Sequence, residues 1–153
     1  MAHLARKLFA ATLLSLLPFT AFAQNNERYI EGPIAARVIE IIDGDTIAVE
    51  IHTWLYTTVT TRVRLRGIDT AEINRALCEE EARIGLEGLD FTTRFVIGDT
   101  PEAFLIVTDI TPDKYAGRVI ANVANMQGDH LAEALLAAGV AKPYNGGPRP
   151  DWC

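Results

Sequence analysis

Between Ala36 and Gly67 apolar and polar residues alternate with the two-residue period of strands, and after Glu79 the period lengthens to that of a helix. Ala36 to Ile42 is a short apolar run that ends at Asp43-Gly44-Asp45, an Asp-Gly turn signal between two β-rich stretches. Thr46 to Ile51 then sets Ile47, Val49 and Ile51 on one face. A second hairpin around Trp54 to Thr57 leads into Thr58 to Gly67, where Val63 and Leu65 alternate with Arg62, Arg64 and Arg66. One face of that strand is apolar and the other cationic. Matching the apolar faces predicts Val49 opposite Leu65, Ile51 opposite Val63 and Glu50 opposite Arg64. The same register sets Asp45 opposite Asp69. A slip by an even number of residues keeps the faces, so the nearness of the two carboxylates is a firmer expectation than the pairing itself.

Farther along, Ala82, Leu86, Leu89 and Val96 step at helical spacings, and Glu79, Glu80 and Glu81 fill the first turn, where the helix dipole favours them. Gly98 and Pro101 stop this helix. Ala103 to Thr108 reads as a strand, Asp109 to Gly117 as a loop and Val119 to Asn125 as a strand. Gly128-Asp129 opens a short helix with Leu131, Ala134, Leu135 and Ala138 on one side, and Gly139 ends it. This order predicts a mainly β (α+β) OB-fold: a five-stranded, partly open barrel with a helix between strands 3 and 4 and a C-terminal helix, a fold that commonly binds oligonucleotides or oligosaccharides. An unrelated small α+β domain would have the same order.

Residues 1–23 change the picture of what is mature. Arg6 and Lys7 precede an apolar run from Leu8 to Leu17, and Ala21-Phe22-Ala23 is a small-x-small cleavage site, so the expectation is a signal peptide cut after Ala23 and a protein that is periplasmic or secreted. A membrane anchor is the competing reading, but the run is short and Pro18 interrupts it. The expected organisation is a signal peptide over 1–23, a flexible leader over 24–33, one domain over 34–145 and a tail over 146–153 tethered by Cys153. About 130 residues remain after cleavage, enough for one real core. Arg6 and Lys7 are the only formal charges in the leader peptide, so the mature chain keeps 12 basic and 20 acidic residues, a net of −8. A footprint on nucleic acid by charge alone is therefore excluded, and polyanion binding has to be local or metal-assisted. Cys78 and Cys153 are an even pair for an oxidising compartment and read first as a disulfide, worth about 4 kcal/mol by loop entropy. A thiol metal or redox site is the weaker reading, because the spacing fits neither pattern.

Phosphodiester hydrolysis near neutral pH needs a cation on the phosphate, an activated water and fixed positive donors for the transition state. Asp45 and Asp69 are oxygen ligands suited to Ca²⁺ or Mg²⁺. Glu72, three residues past Asp69, can orient or deprotonate a metal-held water. Arg64 offers a bidentate fork to phosphate, and Arg118 follows the polar loop Asp113 to Gly117.

These pieces resemble the staphylococcal-type thermonuclease family: IDGDT at Ile42 to Thr46, RLRGIDTAE at Arg64 to Glu72, DKYAGR at Asp113 to Arg118 and ALLAAGVAKPY at Ala134 to Tyr144, in the family's order over nearly all of the mature chain. The resemblance implies an OB-fold nuclease that uses Ca²⁺, cleaves DNA and RNA (single-stranded or locally melted) with little sequence preference and leaves 3′-phosphate ends. Nothing in the sequence indicates an oligomer, so a monomer is expected. It implies Asp45, Asp69 and the Thr70 carbonyl as calcium ligands, Arg64 and Arg118 as catalytic arginines, and Glu72 as general base, a role other mechanisms in the family dispute. Lys114 and Tyr115 would touch substrate phosphate, and Tyr144 would line the nucleotide pocket. Ala71 replaces the proline of the common DTPE motif, Ala116 lengthens the DKYGR loop, and the loop ending at Cys78 is shorter than the archetype's. Strict alternation aims Arg64 away from Asp69, so a bulge or sharp bend is expected near Gly67.

Each piece alone has an ordinary reading. Asp43-Gly44-Asp45 can be a plain turn, the arginine row a solvated face paired with Glu50, and Asp113 to Tyr115 a polar loop. Trp54, Tyr56 and Tyr115 can stack on bases or pack. Besides the exported nuclease, the chain is compatible with an OB-fold module that binds single strands or a partner without cutting, and with a disulfide-stapled domain that holds Ca²⁺ for stability.

Overall fold

A computed structural model of the chain describes residues 28–98 and 102–153. The expected signal peptide and the first residues of the leader lie outside the described residues, as does Pro101. The strands are β1 (Ile34–Ile41), β2 (Thr46–Trp54), β3 (Thr57–Leu65), β4 (Ile68–Thr70), β5 (Phe104–Pro112), β6 (Arg118–Ala124) and β7 (Ala141–Pro143); the helices are α1 (Glu79–Ile97) and α2 (Leu131–Ala137). β1, β2, β3, β6 and β5 close a barrel in that order, while β4 and β7 pair in a small sheet of their own. The helix between the third and fourth barrel strands and the second helix near the C-terminus are those of the OB-fold.

Closure depends on β1 pairing along both edges, with β2 through Val38↔Val49 and with β5 through Ala36↔Leu105. A register shift between Val38 and Glu40 bends the strand between its two partners. Inward residues alternate along each strand as the pattern predicts: Ile47 and Val49, Val63 and Leu65, Leu105 and Val107, Ala121 and Val123 are all buried. Leu131 and Leu135 of α2 join the same core. Arg28 to Pro33 lie along β5, where Ile30 exchanges both backbone hydrogen bonds with Ile110.

Several expectations are corrected. The barrel is closed rather than partly open, and β5 runs on to Pro112 where a loop from Asp109 was expected. In the β2–β3 hairpin Val49 faces Thr61 rather than Leu65, Ile51 faces Val59 rather than Val63, and Glu50 faces Thr60 rather than Arg64. The slip is even, so the apolar faces are kept. The turn closes tightly on Leu55-Tyr56, with Tyr56 at φ 64°, which carries β2 on to Trp54 and starts β3 at Thr57. In α1 the buried face is Glu81, Gly85, Gly88, Thr92 and Val96, and Leu86 is exposed. The stripe of larger residues lost to the glycines because the helix sits almost in contact with backbone: a methyl on Gly85 would stand 2.9 Å from the carbonyl oxygens of both Ala71 and Glu72. Thr92 finishes the contact by donating to the Gly44 carbonyl at 2.7 Å.

The expected bend near Gly67 is present. β3 ends at Leu65, Gly67 adopts φ 80°, and β4 leaves the barrel to pair with β7, Asp69 opposite Lys142.

Gly85→Ala tests the close approach. Alanine adds about 1 kcal/mol of helix propensity, but overpacking against rigid backbone costs about 1–3 kcal/mol. The melting temperature followed by circular dichroism should fall by a few degrees; an increase would show that the loop at Ala71–Glu72 yields freely.

Candidate active site

The β1–β2 turn builds one wall of the site. Asp43 accepts from the Asp45 amide at 3.0 Å, an Asx turn that aims the Asp45 carboxylate inward. Its Oδ2 accepts from the Thr70 amide at 2.9 Å and its Oδ1 from the Thr46 hydroxyl at 3.0 Å, tying this turn to β4. Asp45 and Asp69 are both 1 % exposed, a degree of burial that carboxylates tolerate only when paired.

Their partner is Arg64. Its Nη1 donates to Asp45 Oδ1 at 2.5 Å and its Nη2 to Asp69 Oδ1 at 2.8 Å. The bend at Gly67 is what brings Asp69 back over the face on which Arg64 stands. Asp45 and Asp69 come together through this arginine rather than as cross-strand neighbours, which corrects the expected pairing of the two while keeping them close.

Glu72 follows in the loop between β4 and α1. Glu81 holds that loop from the first turn of α1, accepting from the Glu72 amide at 3.4 Å and from the Leu77 amide at 2.6 Å. Cys78 caps α1, its sulfur accepting from the Glu81 amide. It is bonded to Cys153, with 6.0 Å between their Cα atoms.

That disulfide brings the tail across the site. Arg149 donates from Nε to both oxygens of Asp69 at 3.2 Å, from Nη2 to Asp69 Oδ2 at 3.0 Å and to the Thr70 carbonyl at 2.8 Å, and from Nη1 to Glu72 Oε1. The Trp152 indole, buried, donates to Asp69 Oδ2 at 3.3 Å. Asp45, Arg64, Asp69, Thr70 and Glu72 thus converge, with Arg149 and Trp152 added.

Arg118, Lys114 and Tyr115 form a second group at the start of β6. Arg118 pairs through Nε with Asp113 and lies 4.7 Å from the centroid of the Tyr115 ring, with Lys114 Nζ 5.1 Å from the same ring. β3 and β6 run parallel with Arg62 beside Arg118 and Arg64 beside Ile120. Arg118 is therefore on the same outer face as Arg64, one strand over, ~8 Å away between Cα atoms by strand spacing and rise. Tyr144 stands apart: its amide donates to the Gly67 carbonyl and its hydroxyl to the Gly147 carbonyl.

From the sequence Asp43 reads only as a turn residue and Glu81 only as part of the first helical turn, and Thr92, Arg149 and Trp152 are not singled out at all. For the last two a signal was there: a bond from Cys78, six residues past Glu72, to the final residue puts the preceding tail beside the carboxylates.

The model of the staphylococcal nuclease homologue family matches residues 62–150, from Arg62 within β3 to Pro150 in the tail. The chain belongs to that family. Comparison with curated proteins gives no match. The family is one of nucleases, its substrates are nucleic acids, and it generally uses Ca²⁺. Among the described residues no three His, Cys, Asp or Glu side chains are grouped to hold a metal ion. The donor set that the resemblance names is two carboxylates and a carbonyl, all oxygen, which suits a hard cation. Arg149 Nη2 bridges Asp69 Oδ2 and the Thr70 carbonyl, so two of these oxygens already converge on one positive group.

Burial pushes the Asp45 carboxyl up to about 6, the nearby Asp43 charge adds to this, and Arg64, the Thr70 amide and the Thr46 hydroxyl oppose it. A carboxyl whose folded value lies above its unfolded one binds protons more tightly in the folded state. Its contribution to stability is present below about 4 and is lost as pH rises through about 6. In chelator, wild type should therefore gain stability relative to Asp45→Asn on acidification from pH 7 to 5, by about 1 kcal/mol. Denaturant melts of both proteins at each pH check this; a pH-independent difference would mean that Arg64 holds Asp45 ionised throughout.

Proposed function

We propose that the mature chain is an exported, monomeric, calcium-dependent nuclease, periplasmic or secreted, that hydrolyses phosphodiester bonds of DNA and RNA with little sequence preference and leaves 3′-phosphate ends. The observation that carries this reading is the Arg64 fork between Asp45 and Asp69, which joins a phosphate-binding guanidinium to two buried oxygen ligands. Asp45, Asp69 and the Thr70 carbonyl would hold the cation. When bound, Ca²⁺ neutralises phosphate charge and acidifies a water.

Glu72 would accept the proton of an attacking water. Arg64 turns from the carboxylates to the equatorial phosphoryl oxygens, and Arg118 meets the same oxygens from the neighbouring strand, so that both guanidinium groups stabilise the growing charge. The P–O5′ bond would break, O5′ leaving as a hydroxyl that takes its proton from solvent while Glu72 returns its own to solvent, and the phosphate stays on the 3′ side. Lys114 and Tyr115 grip an adjacent phosphate, and Tyr144 lines the nucleotide pocket. A local cluster of cations is what a mature chain of net −8 needs to hold a polyanion.

The reading of a barrel that binds strands without cutting also has one observation in its favour, since Arg149 satisfies the same oxygens without a metal. Cleavage of single-stranded DNA by residues 24–153, with Ca²⁺ or with chelator, separates the two. Calcium-dependent cutting should fall by about a hundredfold or more in Glu72→Gln and in Arg118→Ala. If folded protein given Ca²⁺ does not cut in either its oxidised or its reduced form, the enzyme reading is wrong and the binding module stands.

A further inference from the structure

On the reading of Asp69 and Thr70 as cation ligands, we infer that the C-terminal tail is a built-in competitor for that cation: the Arg149 guanidinium occupies the ligand oxygens, and the Cys78–Cys153 bond keeps it there. Asp69 Oδ1 accepts from Arg64 and Arg149, and Oδ2 accepts from Arg149 and from the Trp152 indole. Both oxygens are fully engaged. A metal ion can take this carboxylate only by displacing one of these donors, and Arg149 is the one that bridges both its oxygens and the Thr70 carbonyl. The same guanidinium also covers the Thr70 carbonyl and Glu72 Oε1, so one side chain blocks a proposed ligand pair and the proposed base together.

The tail is anchored on both sides of Arg149. Upstream, β7 pairs with β4, and the Tyr144 amide holds the Gly67 carbonyl. Downstream, Lys142 Nζ lies 4.2 Å from the centroid of the Trp152 ring and donates to the Asp151 carbonyl, and Cys153 is bonded to Cys78. A short segment tied at both ends holds its ligand at high effective concentration, which falls when one tie is cut. Arg149 itself is 40 % exposed in its side chain, so a dissolved ion can reach and displace it.

Cys153 is exposed and open to thiol attack. A dithiol would cleave the Cys78–Cys153 bond by exchange: each sulfur gains an electron and a proton, and the dithiol closes to its own disulfide. Reduction leaves the upstream anchor intact and frees the end that carries Arg149 and Trp152. The site would then bind its cation more tightly in a reducing setting.

Trp152 supplies the readout. The chain has two tryptophans, and Trp54 lies exposed at the β2–β3 turn, so Trp54→Phe leaves Trp152 as the only indole. CaCl₂ is titrated into this protein oxidised, after dithiothreitol, as Arg149→Gln and as Cys78→Ser/Cys153→Ser, with affinity from calorimetry and tail position from emission. In the oxidised protein Ca²⁺ should shift Trp152 emission to the red. The affinity should rise about tenfold or more in Arg149→Gln and in both forms lacking the bond, because the competent state is no longer a minor one. Should the double serine variant fail to fold, Arg149→Gln with its disulfide intact decides alone. Affinities that agree within about twofold, or calcium binding that leaves Trp152 emission unmoved, would overturn the tail as competitor while leaving the nuclease reading in place. If no form binds Ca²⁺, Arg149→Gln included, the cation site fails and the inference with it.

Discussion

Two carboxylates that are almost wholly buried sit side by side in this protein, and the Arg64 guanidinium between them is what makes that arrangement stable. Without it, Asp45 would bring its negative charge into the protein interior with only the Thr70 amide and the Thr46 hydroxyl as compensation, and Asp69 would keep Arg149 and the Trp152 indole alone. Much of the surrounding architecture keeps this group of three in place. The Asx turn at Asp43 orients Asp45, the bend at Gly67 returns Asp69, and the β4–β7 pair keeps Asp69 from drifting. Even so, burial wins over pairing for Asp45, whose carboxyl is pushed up to about 6.

α1 supports the site as backbone rather than as an apolar ridge. Gly85 and Gly88 let the helix lie against Ala71–Glu72 and Gly44, Thr92 binds the Gly44 carbonyl, and Glu81 fastens the loop that carries Glu72. The site therefore hangs between a barrel edge and a helix that touch through carbonyls and small residues, an arrangement in which a single methyl group matters.

The tail adds a second cation to the cluster. Arg64 belongs to the barrel and is fixed by strand geometry, whereas Arg149 arrives through a covalent tie at the far end of the chain. The two arginines give Asp69 a complete set of donors. Such a site is already satisfied by protein donors, so an ion bound there would exchange one positive group for another.

The sequence alone determined the strand faces, the two helices, the turn at Asp43-Gly44-Asp45 and the candidates Asp45, Arg64, Asp69 and Glu72, because alternation, turn chemistry and motif spacing are local properties. It also made a break at Gly67 necessary, since Arg64 and Asp69 could not otherwise meet. Only the tertiary structure decided the hairpin register, where a tight turn at Leu55-Tyr56 overrode the pairing that matched Val49 with Leu65. It decided as well which face of α1 is buried, because close backbone approach favoured Gly85 and Gly88 over Leu86. The position of Arg149 depended on a contact between residues 80 apart in the chain, set by a disulfide and by strand pairing that no local pattern encodes.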